Sequence, residues 1–264
     1  MKCLIVQPIH KGGLDLLRQA GVEPGLCPSP DAETVSTMIM GCDAAITRDA
    51  GLPAAPILAS DRLKVIVVHG AGHDAVDKRA AHEKGVLVCN TPGANAQSVS
   101  ELALGLMLAA ARLVPAADRA VRSGERGFRE AHTFHELSGK TAFVVGWGAT
   151  GAGLGRMLHA ALGMRVLVFS PRSADTGSFQ RAGTLAEGLA QADVVSLHTP
   201  MREETRGMIG KIAFAAMKPG AILVNTARAG LIDETALAEA LASGVVAAAA
   251  LDVYSPEAPS GPLG

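Results

Sequence analysis

The sequence predicts an α/β protein built from two doubly wound parallel sheets, and three observations support this class. Short apolar runs alternate with helix-length patterns from the first residue onward, which is typical of βαβ units. The alternation occurs twice, before and after a long apolar segment that starts near residue 98. The length of 264 residues exceeds what one hydrophobic core usually organises. We therefore predict one domain at 1–97 and a second at 98–264.

The first domain is predicted from apolar runs that are separated by helical patterns. Asp74 is the expected N-cap of the last helix, because a short carboxylate side chain accepts hydrogen bonds from the first free amides of a helix. The predicted strands are 3–6, 44–46, 64–68 and 86–88, and the predicted helices are 11–20, 31–40 and 75–84.

The long central helix is expected to start after Ser98, with Glu101 completing a capping box, and to run to about Arg122. One face is continuously apolar, which favours burial against a second subunit or between domains, so we expect a homodimer. An ordinary core helix is the alternative. The face consists of Leu102, Leu106, Ala109 and Leu113.

The second domain repeats the pattern of the first. Its last strand is rich in alanine and is therefore ambiguous with a helix. The predicted strands are 141–146, 165–170, 193–198, 221–225 and 245–253.

Composition excludes several classes of function. Apolar residues make up 48% and charged residues 19%, and the net charge is −1 without a basic block, so we expect no nucleic-acid binding. The apolar stretch 102–111 is too short for a membrane span and no signal segment is evident, so we expect a cytoplasmic protein without a membrane partner. The four cysteines are scattered, which predicts buried thiols and no metal site.

A glycine-rich turn follows the first strand of the second domain. Gly146, Gly148 and Gly151 have the G-x-G-x-x-G spacing directly before a helical pattern. Such a turn brings the backbone close to a pyrophosphate at the N-terminus of a helix. We therefore predict a dinucleotide site here.

The end of the next strand bears on the choice of cofactor. Ser170 lies where NAD-preferring proteins usually place a carboxylate, and Arg172 follows two residues later. A guanidinium is suited to a 2′-phosphate, so NADP(H) is favoured over NAD(H). The alternative is that Arg172 is solvated and that Asp175 binds the ribose.

Six motifs in order resemble the D-2-hydroxyacid dehydrogenase family, which includes phosphoglycerate dehydrogenase and the glyoxylate/hydroxypyruvate reductases. They are HGAGHDAVD, NTPGANAQSVSE, VVGWGATG, VVSLHTPMREETRGMIG, MKPGAILVNTARAGLIDE and AAALDVYSPE. The resemblance implies a Rossmann-type dinucleotide-binding domain and a flavodoxin-like substrate domain, with a cleft between them.

The resemblance also implies which residues contact the cofactor. Ala149 and Thr150 would lie on the pyrophosphate loop, and Thr205 would approach the phosphates. The remaining expected contacts are Thr199 and Pro200 beside the cofactor and Thr226, Ala227 and Asp252 around the nicotinamide.

For the substrate, the resemblance implies that Arg228 grips the carboxylate of a 2-oxo acid and polarises the neighbouring carbonyl. Arg48 would reach the distal end of the substrate. Glu257 would pair with a catalytic histidine and raise its pKa. The backbone amides of Gly70, Ala71 and Gly72 would complete the carboxylate site.

That histidine lies beyond the glutamate in the family, and no histidine of this sequence matches it. His69, His73 and His198 fall near the expected cleft, but His198 stands where the family uses a structural residue. The expectation is a chain shortened at its C-terminus, with the first domain lacking a return segment and the second lacking its last strand.

The predicted function is an NAD(P)-dependent oxidoreductase that reduces a small 2-oxo acid, such as glyoxylate or hydroxypyruvate, to a D-2-hydroxy acid. One alternative is a dehydrogenase of D-3-phosphoglycerate, although no second cationic patch is evident. The other is a catalytically idle NAD(P)-binding regulatory module. The missing histidine favours this module, and the retained Arg228 and Glu257 argue against it.

Overall fold

The computed structural model describes residues 1–173 and 175–255, which divide into a unit of Met1–Asn95 and a second unit that begins at Ala96. The division lies two residues before the boundary predicted from the sequence.

The first unit is a five-stranded sheet in which every strand pair is parallel. The order β2-β1-β3-β4-β5 reverses direction next to β1, as in doubly wound folds. The strands are β1 (Lys2–Ile5), β2 (Glu23–Leu26), β3 (Ala44–Thr47), β4 (Val65–Val68) and β5 (Leu87–Asn90), and the helices are α1 (Lys11–Gln19), α2 (Ala32–Met38), α3 (Ala54–Ala59) and α4 (Lys78–Glu83).

The helices of the first unit cover both faces of its sheet. Because successive strand residues point to opposite faces, Leu4 belongs to the core under α2, α3 and α4, whereas Cys3 and Ile5 belong to the core under α1. The sheet is therefore wound on two sides.

Several local predictions for this unit were wrong or incomplete, and the short helix α3 was not predicted at all. The sequence pattern did not predict β2, an edge strand whose sequence EPGL contains the two residues that strands usually avoid. The N-cap of α4 is Asp77 rather than Asp74, because the Asp77 carboxylate accepts a hydrogen bond from the Ala80 amide at 2.9 Å.

The second unit contains a six-stranded sheet, again with parallel pairing throughout, in the order β11-β10-β9-β6-β7-β8. Its helices are α5 (Ala96–Ala111), α6 (Val114–Ser123), α7 (Phe128–Ala131), α8 (Ala149–Leu162), α9 (Leu185–Gln191), α10 (Lys211–Ala215) and α11 (Glu234–Ala242). Its strands are β6 (Thr141–Val145), β7 (Arg165–Phe169), β8 (Gln180–Arg181), β9 (Val194–Leu197), β10 (Ala221–Asn225) and β11 (Val246–Leu251).

The predicted class of two parallel-sheet α/β units is confirmed. The ambiguous alanine-rich segment is a strand, β11, which pairs with β10 from Ala221 to Asn225. Helices again cover both faces: Met107 of α5 and Leu158 of α8 bury against one face, and Leu189 of α9 buries against the other.

The predicted long helix is two helices. Leu113 adopts a left-handed conformation with φ of 52°, which ends α5 and starts α6 before Arg122 is reached. Ser98 is not an N-cap, since α5 begins at Ala96, and Glu101 accepts a hydrogen bond from the Gln97 side chain instead. The buried stripe includes Met107, while Leu102 of the predicted apolar face is 41% exposed.

Within the described part of the chain, no single helix is long and apolar enough to span a membrane, although α5 and α6, bent by 57°, pass this test of length and composition as a pair. No cluster of three or more histidine, cysteine or acidic side chains fit for a metal ion occurs among the described residues. The cysteines are free thiols, and Cys89 is exposed rather than buried as predicted.

Candidate functional site

The glycine turn between β6 and α8 depends on each of its three glycines in a different way. Gly146 has a φ of +101°, and a Cβ there would lie 2.5 Å from the His198 carbonyl oxygen. A Cβ on Gly151 would lie 2.1 Å from the Gly146 carbonyl oxygen. The first and third glycines are therefore required by the fold itself.

Gly148 is different, because a Cβ there would meet no protein atom within 4 Å. It is the N-cap residue of the 14-residue helix α8, and no side chain caps this helix. Free amides and the positive end of the helix dipole therefore face open space, which is a suitable arrangement for a phosphate. The fold itself therefore does not require a glycine at position 148, and the open approach leaves room for a ligand.

A helix earlier in the chain lies close against α8. The Ser100 hydroxyl of α5 lies 2.8 Å from the carbonyl oxygens of both Ala96 and Thr150, so it bridges the start of α5 to the first turn of α8. A Cβ on Gly153 would lie 2.6 Å from that hydroxyl oxygen. The glycine of α8 thus permits a contact that fixes the position of the phosphate turn.

A groove of about 490 Å³ extends from this turn along the carboxyl ends of β6, β7 and β9. Of the residues predicted to bind cofactor, it brings together Gly146, Gly148, Ser170, Arg172, Thr199, Pro200 and Thr205. The rest of its lining includes Trp147, Phe169, Arg202, Glu204 and Met208. Ala149, Thr150 and Gly151 form the adjoining first turn of α8.

The end of the groove at β7 carries both hydroxyls and charges. Ser170 Oγ donates to Ser173 Oγ at 2.9 Å, so the loop after β7 folds back on itself. The Arg172 guanidinium forms an ion pair with Glu204, with 2.9 Å between Nη2 and Oε1. Asp175, the alternative ribose ligand, accepts a hydrogen bond from the Gly177 amide at 2.7 Å and so stabilises its own turn.

Thr205 was predicted to approach the cofactor phosphates, and in the structure its hydroxyl also stabilises a turn in the wall of the groove. Its hydroxyl donates to the Pro200 carbonyl oxygen at 2.9 Å and accepts from the Arg202 amide at 2.8 Å. These bonds close the segment between Pro200 and Thr205 into a turn. The hydroxyl therefore shapes the wall on which Pro200 and Glu204 lie.

His198 lies beneath the groove as a neutral ring. Burial lowers its pKa to about 4, and Nε2 lies 2.8 Å from the Ser196 hydroxyl oxygen. An imidazole with this pKa is not in its imidazolium form near neutral pH and is therefore a poor general acid. The structure therefore supports a structural role for His198.

The segment after β10 is held by Asn225, which is completely buried. Its Nδ2 donates to the Arg228 carbonyl oxygen at 2.8 Å, and its Oδ1 accepts from the Ala227 amide at 2.9 Å. The Asp252 amide donates to the Asn225 backbone oxygen at 3.0 Å. One residue thus positions Ala227, Arg228 and Asp252 together, all three predicted from the sequence.

Thr226, in the same segment, has a buried hydroxyl group. Its Oγ1 is buried and has no hydrogen-bond partner among the described residues. A buried hydroxyl without a partner is unfavourable by roughly 1 to 3 kcal/mol, so such an atom suggests a bound ligand. The Arg228 side chain beside it donates from Nη1 to the Ala227 carbonyl oxygen at 2.7 Å.

The substrate residues predicted in the first unit lie at the carboxyl ends of β3 and β4. Arg48 donates from Nη1 to the Pro8 carbonyl oxygen at 3.1 Å, and Gln7 Oε1 accepts from the Arg48 amide. The Gly70 amide already donates to Val68, so it is not the free donor that the sequence suggested. Ala71 accepts a hydrogen bond from the Asn90 side chain through its carbonyl oxygen.

Several residues of the site were not predicted, and local signals existed for some of them. Asn225 directly precedes Thr226 at a strand end, where a short amide commonly bonds to the next turn. Glu204 is adjacent to the predicted Thr205, but its pairing with Arg172 spans 32 residues and no local pattern reveals it. Glu257, predicted as a catalytic residue, lies outside the described residues.

Comparison with known proteins agrees with this geometry. A model of the family described as "D-isomer specific 2-hydroxyacid dehydrogenase, NAD binding domain" matches residues 104–263. The chain therefore belongs to the D-isomer specific 2-hydroxyacid dehydrogenase family. The cofactor of the second unit is accordingly a nicotinamide dinucleotide.

Individual relatives extend the similarity over both units. The D-3-phosphoglycerate dehydrogenase of Archaeoglobus fulgidus is 40% identical over 98% of this chain and 50% of its own length. The hydroxypyruvate reductase of Thermotoga maritima is 39% identical over 87% of this chain and 75% of its own length. A crystal structure of a Thermus thermophilus protein has a TM-score of 0.90 and 34% identity, covering 99% of this chain and 85% of the other. The chain thus spans half the length of the first of these relatives.

The residues present fit a dinucleotide. The open approach to Gly148 leaves room for a pyrophosphate, and a side chain at this position would fill that room. The orphaned hydroxyl of Thr226 supplies an unsatisfied donor and acceptor after β10. These two features lie at the carboxyl edge of one parallel sheet, where ligands of such folds bind.

Proposed function

We propose that this chain is part of an oxidoreductase that reduces a small 2-oxo acid, of the glyoxylate or hydroxypyruvate type, to its D-2-hydroxy acid. One observation carries the proposal: the neighbouring strands β10, β9 and β6 end side by side and present, in turn, the Arg228 segment, Thr199 and the glycine turn. A guanidinium and a dinucleotide turn on one sheet edge are the parts that such a reaction requires.

The residues of the second unit have separate tasks. The α8 amides would hold the pyrophosphate, and Thr226, Ala227 and Asp252 would hold the nicotinamide end. When bound, the cofactor supplies the two electrons and the hydrogen that reduce the keto carbon. Arg228 binds the substrate carboxylate through a forked pair of hydrogen bonds and polarises the carbonyl. Glu257 is proposed to raise the pKa of an imidazole partner that acts as the acid.

For the first unit, we propose that Arg48 and the amides of Ala71 and Gly72 contact substrate oxygens. The Gly70 amide donates to the Val68 carbonyl oxygen and is therefore not included. The small-molecule partner we propose is thus a small 2-oxo acid. We also propose a second copy of the chain as a partner, because Leu102 on the apolar face of α5 is exposed.

The cofactor preference we propose is NADP(H) over NAD(H). The support for this preference is the sequence after β7. Ser170, not a carboxylate, follows the last residue of the strand, and Arg172 lies two residues later in the groove. A guanidinium is the side chain that recognises phosphate through several donors at once.

The test is oxidation of NADH and NADPH, followed at 340 nm, with glyoxylate, hydroxypyruvate and 3-phosphohydroxypyruvate as substrates. We expect turnover with one of the first two, and loss of at least about a hundredfold in kcat/KM for Arg228→Lys, since a bidentate charged contact becomes a single one. Turnover of the phosphorylated acid alone would replace our proposal with a phosphoglycerate dehydrogenase. Binding of nucleotide without turnover of any acid would favour a regulatory module.

A further inference from the structure

The ion pair between Arg172 and Glu204 joins two segments that are distant in sequence. Arg172 follows β7, and Glu204 lies in a 3₁₀ turn, Glu203–Thr205, after β9. Both side chains line the same groove, next to Ser170. The carboxylate that the end of β7 lacks is thus supplied from across the groove.

NADH and NADPH differ by one phosphate, on the 2′-oxygen of the adenosine ribose. A carboxylate accepts hydrogen bonds from the ribose hydroxyls of NADH but repels that phosphate. A guanidinium attracts the phosphate. In this ion pair, the carboxylate that favours NADH is therefore in direct contact with the guanidinium that favours NADPH.

We propose that Glu204 determines the choice between NADH and NADPH by competing with the 2′-phosphate for Arg172. The inference rests on the proposed function, because it requires that the groove binds the adenosine half of a nicotinamide dinucleotide. With NADH, Arg172 keeps its partner and Glu204 accepts a ribose hydroxyl. With NADPH, the pair opens and Arg172 turns to the phosphate.

The geometry of the pair supports an exchange of partners. Both side chains are more than half exposed, and ion pairs in such surroundings are weak, so that opening costs little. Asp175 is a poorer candidate for the ribose because its carboxylate already accepts from the Gly177 amide. Arg202 also lines the groove, and Arg172→Gln separates the contribution of Arg172 from that of Arg202.

The chain provides its own reporter of binding. Trp147 is the single tryptophan of the sequence and lies between two glycines of the phosphate turn, in the lining of the groove. Titrating the 264-residue chain with NADH and with NADPH, and following the quenching of tryptophan fluorescence, gives both dissociation constants without any turnover.

Glu203 offers a matched control. It carries the same charge in the same turn, is exposed, and is outside the lining of the groove. Glu204→Gln and Glu203→Gln therefore change the net charge equally, and only the first removes the partner of Arg172. A difference between the two variants reports the direct contact rather than the general field of the surface.

For Glu204→Gln we expect NADPH to bind about tenfold more tightly or better, with the affinity for NADH unchanged or weaker, since a charged hydrogen bond typically contributes that much. Glu203→Gln should change neither constant by more than about twofold. Arg172→Gln should weaken NADPH binding selectively. The gain from Glu204→Gln should be smaller in the Arg172→Gln background than in the unaltered chain, because only the direct repulsion between carboxylate and phosphate is then relieved.

Three results would overturn the inference while leaving the proposed function intact. These are an unchanged NADPH to NADH ratio in Glu204→Gln, an equal shift in Glu203→Gln, and a gain for Glu204→Gln that is equally large in the Arg172→Gln background, which would mean that Glu204 does not act through Arg172. If the unaltered chain binds neither nucleotide, the proposed function fails and the inference fails with it.

Discussion

The side-chain amide of Asn225 donates to the Arg228 carbonyl oxygen across 2.8 Å, while its oxygen accepts from the Ala227 amide between them. The backbone of Arg228, whose guanidinium is proposed to bind substrate, is therefore held by a buried residue three positions earlier. This relationship makes Asn225 a positioning residue, with no contact to substrate of its own.

We predict that Asn225→Ala lowers the free energy of unfolding by about 3 kcal/mol, because two buried backbone groups lose their partners. Urea denaturation measures this change. Asn225→Asp keeps the acceptor for Ala227 but loses the donor to Arg228, so kcat/KM should fall while the affinity for NADH changes little. Equal losses in nucleotide affinity and in kcat/KM would contradict a positioning role directed at Arg228.

Thr226→Val should have opposite effects on stability and binding. The substitution removes a buried hydroxyl that has no partner among the described residues, so the chain without ligand should gain about 1 kcal/mol in stability. Binding of NADH should weaken. Thr47→Val is the control, since the Thr47 hydroxyl is buried and donates to Gly51 at 2.6 Å, and its removal should destabilise by about 1 to 3 kcal/mol. Matching losses of stability in both variants would argue against a ligand at Thr226.

Alanine at two glycines of the phosphate turn should separate folding from binding. Gly148→Ala meets no protein atom and should cost about 1 kcal/mol or less as a cap substitution, yet weaken NADH binding about tenfold or more. Gly151→Ala places a methyl group against the Gly146 carbonyl oxygen and should destabilise the chain by about 3 kcal/mol. Fluorescence titration and thermal unfolding measure the two effects. Tight binding by Gly148→Ala would exclude a pyrophosphate at this turn.

Stability should fall as the pH is lowered from about 6.5 to about 4. The pKa of His198 is lowered from 6.5 to about 4 by burial, so in this window the unfolded chain binds a proton that the folded chain does not. The stabilisation is complete above pH 6.5, is lost towards pH 4, and amounts to about 3 kcal/mol. Hydrogen bonds from Ser29 and Thr34 lower the pKa of Asp31 to about 2. Protonation of Asp31 therefore affects stability only below about pH 4.

The control for this pH dependence is His198→Gln. Denaturation of both proteins at several pH values should show a shallower slope for the variant between pH 6.5 and 4. Identical slopes would mean that other groups cause the loss of stability.

The fold was largely predictable because parallel strands that are buried on both faces consist of short apolar runs, such as AILVN in β10. Helix boundaries were less predictable. The break at Leu113 depends on a left-handed backbone at a leucine, which no propensity favours. The edge strand β2 depends on pairing with β1 rather than on its own sequence.

The candidate site divides in the same way. Gly146, Gly148 and Gly151 were predictable because spacing within one turn is a local property. The pairing of Arg172 with Glu204 and the anchoring of Asp252 by Asn225 were not, because each joins different strand ends. Such contacts follow from the order of strands in the sheet, which the sequence does not state.

The glycines of α8 have a consequence for how the chain folds. Gly151, Gly153 and Gly155 all belong to the 14-residue helix α8, and each weakens an isolated helix by about 1 kcal/mol relative to alanine. This segment is therefore a poor helix until Ser100 and the ring of Trp147 pack against it. We therefore expect the turn at Gly148 to be ordered only when α5 and the Trp147 ring are packed against α8.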